Sequence, residues 1–206
     1  MRDRSPVWIA LCDLLLCVLA VVVAAVNPKA TKGVEPKAAY IVQATWDAVG
    51  RDADVDLWMV PPPGETPVYF RNREAGLASL DHDCLGKSNT QVALADGRTV
   101  SAPYCREIIT LAGVVPGRYD LALNLYSARD EQGRAIEAGP APPVKVHVEI
   151  LKTSPGVETR FEDDVTLFEI RQTVNFASFT LTADNEFALV QPPAEPVTDR
   201  FLEAKP

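Results

Sequence analysis

The sequence predicts an all-β domain, an Ig-like or jelly-roll β-sandwich, preceded by one N-terminal transmembrane helix. Three observations carry this. One apolar run, residues 7–26, stands apart from the rest of the chain. From residue 38 onward, short stretches alternate apolar and polar residues and are separated by Pro/Gly turns. No stretch of ten or more residues after the apolar run shows helical periodicity.

Residues 7–26 read VWIALCDLLLCVLAVVVAAV. About 20 apolar residues at 1.5 Å each span a hydrocarbon core of roughly 30 Å. A polar stub, residues 1–6 with Arg2 and Arg4, precedes the run, and Asn27-Pro28 ends it. A cleaved export signal is the competing reading, with Ala24 and Ala25 as small residues at a cut site. Asp13 argues against it, because a carboxylate inside the run costs about 2.5–3.5 kcal/mol of insertion. Flanking Lys/Arg residues are nearly balanced; an N-terminus on the cytoplasmic side is chosen because the stub is too short to be a domain. Ala10, Asp13, Cys17, Ala20 and Ala24 recur at spacings of 3 and 4, the seam of a helix–helix contact. All but Asp13 are small, which lets membrane helices approach closely. Asp13 is therefore either a polar clamp in a homodimer or a proton carrier.

The run Trp8-Ile9-Ala10-Leu11-Cys12-Asp13-Leu14-Leu15-Leu16 resembles the transmembrane helix of the MotB/ExbD/TolR family. That resemblance implies that Asp13 carries protons in a complex driven by ion-motive force. It implies two copies of the helix inside a ring of a multi-span MotA/ExbB/TolQ-like partner. It places the chain in a bacterial inner membrane, crossing once, with the C-terminal domain in the periplasm against an envelope component. Desolvation raises a buried carboxyl's pKa, so such a group can alternate between neutral and ionised states. The rest of the chain carries neither an OmpA-like nor an ExbD-type pattern. The alternative function is a membrane-anchored periplasmic binding or structural module without ion transport.

Residues 27–37 form a short polar linker. The domain, residues 38–190, is then read strand by strand: 40–46, 54–60, 66–71 after the Pro61–Gly64 turn, 90–95 and 100–111 around Asp96-Gly97, 117–127, 144–152, 165–172 and 175–182. Asp-Gly between two alternating runs is a hairpin signal. Glu162-Asp163-Asp164 reads as a solvated turn. Residues 191–206, rich in Pro, Glu and Ala, are expected to be loose.

Asp54-Val55-Asp56-Leu57-Trp58, then Leu80-Asp81-His82-Asp83, then Pro116-Gly117-Arg118-Tyr119 resemble the order of motifs in pre-peptidase C-terminal and YfaP-like β-sandwich modules. The resemblance implies an accessory binding domain, in some relatives with calcium on acidic loops. Asp52, Asp54, Asp56, Asp81 and Asp83 could supply the oxygen ligands calcium prefers, with Asp54, Asp56, Asp81 and Asp83 as the candidate set. The competing reading is that Asp54 and Asp56 cap turns. Beyond calcium, no cofactor is expected.

Cys84 and Cys105 are the cysteines outside the apolar run, and in an exported domain they would form a disulfide. A zinc site from His82, Cys84 and Cys105 lacks a fourth ligand. The histidines are only His82 and His147, and no nucleophile, metalloprotease or nucleotide-binding motif occurs, so no enzyme is expected. A net charge of −8 with 20 Lys+Arg excludes the basic face of a nucleic-acid binder.

Overall fold

A computed structural model describes residues 14–18, 38–48, 50, 52–87 and 90–202. The chain divides into two units, residues 1–36 and 37–206. Of the first, residues 14–18 are helical and exposed. Asp13, Ala10, Ala20, Ala24 and most of the expected span 7–26 lie outside the described residues; Cys17, within them, is an exposed free thiol. Among the described residues no helix is long and apolar enough to cross a membrane.

The second unit is an antiparallel β-sandwich. Its strands are β1 (Tyr40–Asp47), β2 (Ala53–Val60), β3 (Glu74–Ala75), β4 (Ala78–His82), β5 (Gln91–Ala93), β6 (Thr99–Ser101), β7 (Tyr104–Leu111), β8 (Gly117–Arg129), β9 (Ala135–Ile136), β10 (Pro140–Lys152), β11 (Glu158–Glu169), β12 (Thr173–Leu181) and β13 (Phe187–Val190). One sheet runs β11-β10-β1-β7-β4-β3; the other runs β13-β12-β8-β2, with β9 added to β8; β5 and β6 form a separate hairpin.

Period-two alternation decides which side chains go inside. In β1, Tyr40, Val42, Ala44 and Trp46 are buried and the residues between them are not. In β10, Val144, Val146, Val148 and Ile150 do the same. These meet Val55, Leu57 and Met59 of β2, Leu121, Leu123 and Leu125 of β8, and Phe179 of β12 in one apolar cluster fed by both sheets. Tyr119 stacks on Phe179 with centroids 4.8 Å apart. Its hydroxyl donates to Val115 O four residues upstream at 2.8 Å, as in the tyrosine corner of sandwich domains.

Several expectations are corrected. Residues 66–71 are not a strand: Pro67 has no amide hydrogen, Val68 and Tyr69 make one bridge each, and Asn72 Nδ2 closes the segment on Pro67 O. The run 100–111 is two strands, broken at Ala102-Pro103. Glu162, Asp163 and Asp164 lie inside β11 and not in a turn. β11 ends its sheet, and a charged, exposed edge discourages pairing with another chain.

The segment 191–202 is not loose. Asn175 Nδ2 donates to Pro193 O and Glu195 O, and its Oδ1 accepts from Val197 N. Val197 is buried with Trp58, Val60 and Ala122 on the outer face of the smaller sheet. A helical turn, Asp199–Leu202, follows.

Candidate functional site

β2 is the last strand of its sheet, so one side of its backbone lacks a sheet partner. Met59 fills part of that side by exchanging both backbone hydrogen bonds with Val68. Two residues earlier, the Leu57 amide points the same way. It donates to Glu107 Oε2 of β7 at 2.5 Å, so a side chain of one sheet caps the edge of the other.

Glu107 occupies an inward position of β7. Cys105, Ile109 and Leu111 share its face, and all are buried. Asp54 and Asp56 of β2 approach the same edge from the other side. One carboxylate oxygen from each of Asp54, Asp56 and Glu107 lies within 4.8 Å of those of the other two. Asp56 is 3% exposed and Glu107 1%. Asp54 Oδ1, Asp56 Oδ2 and Glu107 Oε1 are buried and find no hydrogen-bond partner among the described residues.

Burial dominates the electrostatics. It pushes Asp56 up to about 8, assisted by the charges of Asp54 and Asp83 and opposed by Arg71. Burial and then Asp83 raise Asp54 to about 6. Glu107 is held well above the usual carboxylate range by burial and then by Asp56, against the hydrogen bond from Leu57.

The expected calcium set, Asp54, Asp56, Asp81 and Asp83, is therefore only partly assembled. Asp54 and Asp56 come together and Asp83 acts on them electrostatically, while its carboxylate meets Arg73 at 3.4 Å. Asp81 is exposed on the far side of β4, where Ser79 and Thr110 donate to it. The third member is Glu107. Alternation through Cys105, Ile109 and Leu111 was the available signal: it puts an acid on a core face. Asp54 and Asp56 do not cap turns, since both lie inside β2, while Asp52 just before it accepts from Lys87 N at 3.0 Å and pairs with Arg129.

Cys84 and Cys105 form a disulfide. It closes the loop that carries the β5–β6 hairpin. It also fixes Asp83, next to Cys84, against the β7 strand that carries Glu107.

Asp56 also lines a cleft of about 440 Å³ on the outer face of the smaller sheet. Tyr69 stacks on Trp58 with centroids 3.9 Å apart, Phe70 meets Tyr69 edge-on, and Tyr126 leans on Phe70 at 5.5 Å. Arg71 lies over the Phe70 ring, 5.1 Å from its centroid. Opposite, Arg171 sits in a tight turn at φ 67, a conformation held in place by its own amide donating to Leu125 O and by Asn124 Nδ2 donating to its carbonyl. Neither arginine makes an ion pair among the described residues.

Comparison with known protein families, with curated proteins and with solved structures finds no match to this chain.

Proposed function

We propose that the chain is a membrane-anchored binding module: an Ig-like or jelly-roll sandwich, carried outside the cytoplasm on the apolar segment 7–26, that takes a carboxylate-bearing envelope ligand in the cleft beside β2. The observation that carries this reading is the pair of unpaired arginines, Arg71 and Arg171, lining a preformed cleft with aromatic rings. Guanidinium groups match carboxylates in a two-pronged geometry, and ring faces supply apolar contact for the body of a ligand. Arg71 and Arg171 share that concave surface with Asp56 and Asp199, and they are the positive groups there that an anion would meet in a chain of net charge −8. The Cys84–Cys105 disulfide supports an oxidising compartment.

This is the non-transporting alternative of the two functions read from the sequence. The proton-carrying role of Asp13 and the MotA/ExbB/TolQ-like partner rest on residues outside those described.

The test is co-sedimentation of the protein with purified peptidoglycan sacculi, and its titration with polygalacturonate as a second polyanion. Binding is expected to fall at least tenfold in the double variant Arg71→Ala/Arg171→Ala and to weaken in Tyr126→Ala. Binding unchanged in the double variant, or none to either polymer, rejects the reading.

A further inference from the structure

We propose that Asp54, Asp56 and Glu107 hold a divalent cation of the hard, oxygen-preferring kind, with calcium as its type, at the open edge of β2.

Geometry comes first. Three carboxylate oxygens from two different sheets converge within 4.8 Å. A cation with bonds of about 2.3–2.6 Å touches oxygens spaced up to twice that distance. The convergence is not an exposed acidic patch. Asp56 and Glu107 are almost wholly enclosed, and Glu107 is placed by its second oxygen, which is committed to the Leu57 amide.

The unsatisfied atoms are the second and independent observation. Asp54 Oδ1, Asp56 Oδ2 and Glu107 Oε1 are each buried without a hydrogen-bond donor. A buried acceptor without a partner is costly, and a buried carboxylate without a counter-charge more so. None of the three acids makes an ion pair with a described Lys, Arg or His; Arg71 acts on Asp56 only from beyond pairing distance. A cation bound among the three carboxyl groups would supply both a partner for such buried oxygens and the missing charge.

The donor set decides the kind of cation. All the donors are oxygen. The nearby sulfurs of Cys84 and Cys105 are consumed in the disulfide, and neither histidine belongs to the group. Soft or borderline ions such as zinc favour sulfur and nitrogen, whereas calcium and magnesium favour carboxylates. Calcium accepts six to eight oxygens in adaptable geometry, so water and a ligand oxygen can complete the shell. Asp56 lies at the cleft wall, so such a ligand oxygen would come from the cleft. The cation site goes beyond the binding reading and is independent of it, since it also ties β2 to β7 when no ligand is present.

The experiment uses the full-length protein stripped of metal by chelator, then titrated with calcium, magnesium and terbium. Expected are one calcium per chain by equilibrium dialysis, terbium luminescence sensitised by tryptophan and displaced by calcium, and a melting temperature raised by about 5–10 °C at a hundredfold excess over Kd. Asp56→Asn and Glu107→Gln, which keep side-chain shape and relieve repulsion, are expected to bind at least tenfold more weakly while staying folded by circular dichroism. Asp163→Asn/Asp164→Asn, on the exposed edge strand, is expected to bind as the parent does. Three results overturn the site: no uptake of calcium or magnesium at millimolar concentration, affinity unchanged in both triad variants, or loss of binding in the edge-strand variant instead. None of these readouts depends on a cleft ligand, so the site can fail while cleft binding stands, and the reverse.

Discussion

Glu107 Oε2 accepts the amide hydrogen of Leu57 at 2.5 Å, and this bond joins the two sheets at a place where β2 has no neighbouring strand. The carboxylate substitutes for a missing ladder partner. Glu107→Gln retains a carbonyl oxygen for the amide and removes a charge from a crowded group. Glu107→Ala removes the acceptor and leaves a void. In metal-free buffer, Glu107→Gln is expected to match or exceed the parent in urea. Glu107→Ala should fall below Glu107→Gln by about 1–3 kcal/mol, the cost of an orphaned buried donor. Equal midpoints for the two variants would show that the bond contributes nothing.

The acidic group also sets the sign of the pH response. Asp56 titrates near 8 and Asp54 near 6 in the folded protein, both from an unfolded value of 3.8. Between these values the folded state holds more protons than the unfolded state, so stability falls as pH rises. The contribution is complete below about pH 4 and is lost as pH passes 6 and then 8. Urea midpoints in metal-free buffer should therefore decline from pH 5 to pH 8.5. With calcium present the decline should flatten, because the cation replaces the protons. Midpoints that rise over this range without metal would contradict the placement of Asp54 and Asp56.

How far the sequence reveals this molecule depends on which residues carry the signal. The inward rows of β1 and β10 were readable because every second residue is apolar, and one-sided burial demands that pattern. β4 was not, because Ala78–His82 is short and ends in Asp81 and His82. β11 was misread at Glu162–Asp164, since an edge strand exposed on both faces loses the alternation that marks strands. The outer face of the smaller sheet was invisible for another reason. Trp58 and Val60 are buried by Val197 and Phe201, residues about 140 positions away, and the tail that brings them is held by Asn175, a contact without local signature. For the acids, sequence neighbours suggested Asp81 and Asp83, but strand register delivered Glu107.

The disulfide fixes the base of the β5–β6 hairpin. Cys84 and Cys105 are 21 positions apart. In the chain-entropy account a loop of that size restricts the unfolded chain by roughly 3 kcal/mol. The double variant Cys84→Ser/Cys105→Ser should lose stability of that order in urea, with the smaller sheet still formed by circular dichroism. Cation affinity should weaken as well, because Asp83 is no longer held against β7. Full stability in the reduced double variant would mean that the hairpin is anchored by other contacts.

Gly117 opens β8 and marks where the two halves of the Pro116-Gly117-Arg118-Tyr119 turn meet the proline run. Its φ is +142, a region that other residues avoid, and a Cβ there would come within 2.7 Å of Pro62 Cβ. Gly139 also has a positive φ, +82, but a Cβ there meets nothing within 4 Å. Comparing the two separates backbone strain from collision. Gly139→Ala should cost about 1–2 kcal/mol, the ordinary penalty for a left-handed L-residue. Gly117→Ala should cost more, because Pro62 is stiff and cannot rotate away, and the shift would move Tyr119 off its bond to Val115 O. Thermal melts of both variants decide it. Equal losses would mean that the Pro61–Gly64 turn yields freely, and that its packing against β8 does not fix the start of that strand.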